Sequence, residues 1–113
     1  MLKDYNQVSK EISESLAKLR FEAPEIMKGH SDLAVLATKD GVLDKRTKEL
    51  IALALGIASR CDVSVWLHTQ NLIKLGVTKQ EIVEVIGLAT YMGGASSLMC
   101  ASNALKAFEQ AHS

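Results

Sequence analysis

Residues 48–76, KELIALALGIASRCDVSVWLHTQNLIKLG, decide how this chain folds. They contain a nine-residue uncharged run, 50–58, that is apolar on nearly every face of a helix. A helix of that kind lies at the centre of a core or is shared with another subunit. Because the chain is small, we expect this helix to do both.

Length and composition favour one helical domain that spans residues 1–113. The 113 residues are enough to bury a core in a single domain. Hydrophobic residues make up 48% and aromatic residues only 4%, and Pro24 is the single proline. This mixture, rich in Leu, Ala, Ile, Lys and Glu, favours helices, whereas strands are enriched in aromatic and β-branched residues.

Charge and cysteine usage exclude several classes of function. The 13 basic residues cancel the 13 acidic ones, so neither nucleic acid nor electrostatic docking to a membrane is expected. The polar N-terminus shows no signal peptide, and the apolar run 50–58 is too short to span a bilayer. Cys61 and Cys100 lie far apart and do not resemble a disulfide framework. We therefore expect a cytoplasmic protein with reduced thiols.

Apolar periodicity and helix-ending residues predict about six helices. Pro24 suits the first position of the second helix, and Asp44 suits the N-cap of the third. Two capping boxes, Ser59 with Asp62 and Thr78 with Glu81, predict where the next two begin. The predicted helices cover residues 4–19, 24 to about 41, 44–59, 60–75, 78–93 and 95–111. The sequence thus predicts an all-α fold, a compact single-domain bundle.

A close cluster of reactive side chains falls in the fourth helix. Spacings of three, four and seven place Cys61, Ser64 and His68 on one helix face. With the helix beginning near Arg60, Cys61 stands in the first turn, where unpaired amide groups and the macrodipole favour a thiolate. His68 can act as an acid or a base near neutral pH. The cluster is therefore a candidate reactive site.

Each of these residues also has an ordinary structural interpretation. Cys61 can be a small buried hydrophobe, His68 a structural histidine, and Ser64 a helix residue bonded to a backbone carbonyl. Ser64 is disfavoured as a nucleophile because no nucleophile elbow surrounds it. Glu49 alone reads as a surface ion pair with Lys45. A functional role requires Glu49 to turn inward and orient the His68 ring.

The other distinctive side chains are predicted to be structural. Cys100 lies among apolar residues of the last helix, and Trp66 packs against the core or lines a pocket. His30 and His112 have no partners at ligand spacing, so we expect no metal site, and no motif indicates a cofactor. None of these residues adds a function to the candidate site.

The sequence resembles the carboxymuconolactone decarboxylase family, which also contains the alkylhydroperoxidase D-like proteins. The resemblance covers about residues 24–108 and lies in GVLDKRTKELIALALGIASRC, HTQNLIKLGVTKQEIVEVI and YMGGASSLMCASNALKAF. The redox branch of the family has a glutamate, eleven residues, then Cys-x-x-Cys-x-x-x-His. Glu49, Cys61, Ser64 and His68 occupy those positions at matching spacing. The resemblance implies a thiol-dependent peroxidase of the peroxiredoxin type, with antioxidant activity and with His68 and Glu49 relaying protons.

Ser64 departs from that motif, because the redox branch has its second cysteine there. A serine hydroxyl cannot form a disulfide, so the two-cysteine cycle is not expected in this chain. Single-thiol chemistry at Cys61 would instead require an external thiol to resolve its sulfenic acid. The predicted place of Cys100 gives no reason to expect it near Cys61.

The family implies two further possibilities and an assembly. The decarboxylase branch acts on a small carboxylated lactone, for which His68 would be the acid–base and Arg46 or Arg60 the group that binds carboxylates. Alternatively, the loss of the second cysteine leaves a non-catalytic oligomeric binding module. The family is typically made of homotrimers or hexamers, which agrees with a helix that is apolar on all sides.

Overall fold

The computed structural model describes the backbone of residues 5–112 and the side chains of residues 7–112. The described chain forms six α-helices and one 3-10 turn, with short connections. The predicted start of the first helix at Asp4 lies outside the described residues. The helices are α1 (Tyr5–Glu22), α2 (Pro24–Thr38), α3 (Lys45–Ala58), α4 (Asp62–Lys74), α5 (Lys79–Gly93) and α6 (Leu98–Ala111), and the turn is Ala95–Ser97.

Helices α3 to α6 enclose the core, and α3 is its central element. Leu53 and Ile57 of α3 are completely buried, together with Leu72 of α4 and Ile82 of α5. The opposite face of α3 is open, because Leu55 is 64% exposed. The expectation that this helix is central to the core is confirmed, and its second apolar face remains available for a partner.

Helix α2 is peripheral. It contains no buried residue, although it carries several exposed apolar side chains. It begins at Pro24 as predicted, because the fixed φ of proline suits the first helical position. It ends at Thr38, before the predicted stop at Gly41, and a short connection leads to α3.

Side-chain caps fix the starts of α3 and α5. Asp44 accepts a hydrogen bond of 2.7 Å from the backbone amide of Thr47. At α5 the predicted capping box is complete, since Thr78 accepts from the Glu81 amide and Glu81 accepts from the Thr78 amide. Both predictions are confirmed, because each cap satisfies amide groups that lack partners within the first helical turn.

The predicted capping box of Ser59 and Asp62 is wrong. Ser59 ends α3, and its hydroxyl donates to the Gly56 carbonyl behind it. Arg60 has φ 57, in the left-handed region that reverses the chain direction tightly. Helix α4 therefore begins at Asp62 instead of Arg60, and Cys61 is its N-cap instead of a residue of its first turn.

The last helix also begins later than predicted. The chain breaks at Gly94, forms the 3-10 turn, and enters α6 at Leu98 instead of Ala95. Within the described residues, no helix is long and apolar enough to cross a membrane. The helical frame therefore agrees with the sequence prediction except at these two junctions and at the C-terminal ends of α1 and α2.

Candidate functional site

Glu49 is buried in the bundle and does not form the surface ion pair that its sequence neighbours suggest. Its side chain is only 1% exposed. Glu49 Oε2 lies 2.6 Å from His68 Nδ1, and Asn71 Nδ2 donates to Glu49 Oε1 at 3.2 Å. The packing of α3 against α4 therefore brings together two residues that are 19 positions apart in the chain. The inward orientation that a functional Glu49 requires is present.

The contact with Glu49 also defines the chemistry of the His68 ring. An ionised carboxylate can only accept hydrogen bonds, so Nδ1 carries the proton when Glu49 is ionised. Nε2 then presents a lone pair that can take a proton from a ligand or a water. The His68 side chain is 19% exposed, so a small molecule can reach it.

Cys61 lies at the N-terminal end of α4, in the turn where the left-handed backbone of Arg60 reverses the direction of the chain. As the N-cap it has extended backbone angles, and its amide donates to the Gly56 carbonyl at 2.9 Å. Hydrogen bonds from the hydroxyl and the amide of Ser64 lower the pKa of the Cys61 thiol. Partial burial and the neighbouring Asp62 carboxylate oppose this shift. The pKa of the Cys61 thiol is thus lowered by Ser64 and by a backbone amide of the first turn of α4.

Gly56 allows α3 to approach Ser64 closely. A Cβ built on Gly56 would lie 2.9 Å from Ser64 Cβ, closer than real side chains allow. A larger residue would force the two helices apart at the point where Ser64 holds the Cys61 thiol. The close approach of α3 therefore helps to fix the position of Ser64.

The predicted site residues form two groups. We call Cys61 and Ser64 the thiol half, and Glu49, His68 and Asn71 the imidazole half. Among the hydrogen bonds of the described residues, none joins His68 directly to Ser64 or Cys61. Seven residues of helix separate Cys61 from His68, which is a rise of about 10 Å. A proton passing between the halves must therefore travel through the Ser64 hydroxyl or a water.

An open pocket of about 390 Å³ adjoins the imidazole half, between α2, α3 and α4. Its wall includes His68 and Asn71, but neither Cys61 nor Ser64 belongs to its lining. Two lysines, Lys39 and Lys45, stand at its rim, and Lys45 Nζ lies 3.3 Å from the Thr38 hydroxyl. The pocket therefore offers two ammonium groups and an imidazole to a small ligand, beside the carboxylate of Asp40, which also belongs to the lining.

The arginines that the sequence nominated for carboxylate binding do not line this pocket. Arg46 forms an ion pair with Glu81 on α5. Arg60 is exposed in the turn before α4. The basic residues of the pocket lining are instead Lys39 and Lys45.

Sequence reasoning missed Asn71 and Lys45. Asn71 follows His68 by three positions, so helical spacing alone places it on the face that carries Ser64 and His68. Its amide holds the second oxygen of Glu49 and so fixes the carboxylate that contacts His68. Lys45 left no comparable signal, because its place depends on how α2 packs.

The remaining predicted residues take structural positions. Cys100 is buried in α6, and Trp66 packs against the core. Cys100 nevertheless comes close to the thiol half, since its Sγ lies 3.7 Å from Asp62 Oδ1. In the described part of the chain, no group of three or more His, Cys, Asp or Glu side chains is arranged to hold a metal ion.

Comparison with known proteins assigns the family. The model of the carboxymuconolactone decarboxylase family matches residues 24–107, most of the chain. The chain belongs to the carboxymuconolactone decarboxylase family. The extent of the match agrees with the region in which the sequence resembles that family.

Solved structures of carboxymuconolactone decarboxylase family proteins share the fold. The apo-lpg0406 protein of Legionella pneumophila is 52% identical, with a TM-score of 0.88 over 94% of this chain and 95% of that one. A Thermotoga maritima family protein is 24% identical, with a TM-score of 0.80 over 90% of this chain and 87% of its own. At that identity the Thermotoga structure supports the fold alone.

A relative of similar length exists in Cupriavidus necator. It is an uncharacterized protein, 34% identical over 99 residues that cover 88% of each chain. The match extends along most of both chains.

Proposed function

We propose that this carboxymuconolactone decarboxylase family protein is an alkylhydroperoxidase D-like thiol peroxidase. Cys61 is the reactive thiol, Ser64 holds its thiolate, His68 relays protons, and Glu49 orients the imidazole. The substrate is a small hydroperoxide, and an external thiol supplies the electrons. The activity is of the peroxiredoxin type, with an antioxidant role.

The observation that carries this proposal is the environment of Cys61. The thiolate is the nucleophile in cysteine chemistry, and reactive cysteines are partly exposed and surrounded by groups that stabilise negative charge. Cys61 is half-buried at a helix N-terminus, and the Ser64 hydroxyl and amide lower its pKa. An inert core cysteine has neither feature.

The imidazole half supplies the proton chemistry in this proposal. Attack by the Cys61 thiolate on a peroxide oxygen releases an alkoxide that must be protonated. His68, oriented through Nδ1 by Glu49, can accept the proton of the Cys61 thiol at Nε2 and then return it to the alkoxide, in each case through the Ser64 hydroxyl or a water.

The test is peroxide-dependent loss of the Cys61 thiol. Reduced protein is treated with hydrogen peroxide or an organic hydroperoxide over a range of pH, and Cys61 is quantified by alkylation and peptide mapping. We expect rapid oxidation with a pH midpoint below about 8.5, the value for an ordinary cysteine. Slow oxidation without a pH dependence in that range contradicts the proposal.

The pocket beside the imidazole half favours a second candidate, a lyase for a small carboxylated lactone. Lys39 and Lys45 can bind carboxylates at the rim while His68 acts as acid–base from the wall. This candidate predicts that Cys61→Ala retains decarboxylation and that His68→Ala abolishes it. If the protein neither reduces peroxide nor decarboxylates a lactone, it is a non-catalytic binding module. The separation of the pocket from Cys61 favours that third function.

A homo-oligomer, a trimer or a hexamer, is part of the same proposal. Helix α2 carries exposed apolar side chains at Ile26, Leu33 and Leu36, each at least 60% exposed. Clusters of this kind are typical of protein–protein interfaces. Light scattering on the purified protein is expected to give three or six subunits, and a monomer contradicts this part.

A cytoplasmic location is proposed because single-thiol turnover requires a reducing environment.

A further inference from the structure

The turn that carries Cys61 packs directly against the start of α6. Ser97, in the 3-10 turn before α6, donates its hydroxyl to the Ala58 carbonyl at 3.4 Å. A Cβ on Gly93 would lie 3.0 Å from Ala58 Cα, so the absence of a side chain at Gly93 permits this approach. The contact is made three residues before Cys61.

A second contact lies on the other side of Cys61. The Sγ of Cys100, near the start of α6, is 3.7 Å from Asp62 Oδ1. Asp62 follows Cys61 directly, and consecutive Cα atoms are about 3.8 Å apart. The start of α6 therefore contacts the chain both before and after Cys61. This junction brings the protein's second thiol to the turn that holds the first.

We propose that Cys100 is the resolving thiol of this protein, and that oxidation by peroxide ends in a Cys61–Cys100 disulfide. The inference rests on the proposed peroxidase function. It assigns to Cys100 the step that Ser64 cannot perform, because a hydroxyl cannot form a disulfide. The resolving thiol would then come from α6 instead of from the next turn of α4.

The chemistry balances in two steps. The Cys61 thiolate attacks the hydroperoxide, the O–O bond breaks, one oxygen stays on sulfur as sulfenic acid, and the other leaves as alcohol after taking a proton. The Cys100 sulfur then attacks the Cys61 sulfur and displaces hydroxide, which leaves as water with the proton of the Cys100 thiol. Asp62, at 3.7 Å from Cys100 Sγ, is placed to carry that proton. Two equivalents of an external thiol then reduce the disulfide by exchange, which regenerates both cysteine thiols and releases the external thiol as its own disulfide.

The turn can adjust to close this bond. A disulfide requires its two Cα atoms to lie within about 4.4–6.8 Å. Arg60, next to Cys61, has a left-handed backbone that is uncommon for a residue with a side chain. Cys61 is the N-cap of α4 and has extended backbone angles, so we expect the turn at Arg60 and Cys61 to move when the disulfide closes.

The experiment uses the full chain. Reduced protein receives hydrogen peroxide or cumene hydroperoxide at an equal concentration, and samples are quenched over time with dimedone, which labels sulfenic acid, and with iodoacetamide. Intact mass and peptide mapping then report each state of Cys61. We expect an early dimedone adduct on Cys61, replaced later by a linked Cys61–Cys100 peptide. In Cys100→Ala the dimedone adduct persists and accumulates to at least about ten times its level in the wild-type protein, because no second thiol converts the sulfenic acid into a disulfide.

The outcomes separate the two proposals. Oxidation of Cys61 without a linked Cys61–Cys100 peptide, or with a Cys61–Cys61 link between chains, overturns the role of Cys100 and leaves the peroxidase function intact. A Cys61 that does not react with peroxide overturns the peroxidase function and this inference with it. The linked peptide is sought in the wild-type protein, so the result does not depend on whether Cys100→Ala folds.

Discussion

The two halves of the candidate site are built in different ways. The thiol half is local: Cys61 and Ser64 are three residues apart at one helix end, where the Ser64 hydroxyl and amide lower the pKa of the Cys61 thiol. The imidazole half forms only through tertiary packing, because Glu49 comes from α3 whereas His68 and Asn71 come from α4. The thiol half should therefore depend on the helix terminus, and the imidazole half on how the two helices pack.

The largest expected effect comes from His68→Gln. General acid–base catalysis contributes about 10²–10⁴-fold, so peroxide turnover should fall by that order. The pH midpoint of Cys61 alkylation should stay in place, since the groups that set the Cys61 pKa do not include His68. His30→Gln on exposed α2 is the matched control. A shift of the alkylation midpoint in His68→Gln would show that the halves are directly coupled.

Glu49→Ala should lower both stability and turnover. It leaves His68 Nδ1 and the Asn71 amide without their buried acceptor, which costs about 1–3 kcal/mol in the free energy of unfolding. Urea denaturation measures the loss, with an unchanged slope if the unfolded state is unaffected. The exposed Glu84→Ala should stay within about 0.5 kcal/mol of wild type. If Glu49→Ala and Glu84→Ala lose the same free energy of unfolding, Glu49 is not the buried acceptor described above.

Ser64→Ala tests the thiol half alone. Removing the hydroxyl raises the pKa of Cys61 toward its usual range, so less thiolate is present at a given pH below it. Alkylation of Cys61 at that pH should slow by roughly two- to tenfold, because the loss of one hydrogen bond costs about 0.5–1.5 kcal/mol. Ser13→Ala on α1 is the control. An unchanged alkylation profile would remove Ser64 from the thiol half.

The smallest effect is expected at Glu81, outside both halves. Its ion pair with Arg46 and its cap on α5 lower the Glu81 pKa from 4.5 to about 2. Because the folded-state pKa is depressed, the stabilisation is present above pH 4.5 and is lost as the pH falls through about 2. Thermal melting of Glu81→Gln should show a slightly lower Tm at neutral pH, with a difference that disappears near pH 2. A difference that persists there would point to packing and not to charge.

The sequence alone determined the fold class and most helix boundaries. Pro24, Asp44 and the capping box of Thr78 and Glu81 act through their nearest neighbours, so local rules predict them correctly. The spacing of Glu49, Cys61, Ser64 and His68 also lies within one stretch, which is why family resemblance could nominate those four residues together.

The tertiary structure decided what those residues contact. Ser59 and Asp62 satisfy the pattern of a capping box, yet the left-handed turn at Arg60 assigns one to the end of α3 and the other to the start of α4. Sequence could not choose between an exposed and a buried Glu49, because burial depends on the close packing of α3 on α4. The approach of Cys100 to Asp62 likewise required α6 to fold back onto the turn. Local hydrogen bonds follow from the order of residues, whereas contacts between distant residues exist only once the core has formed.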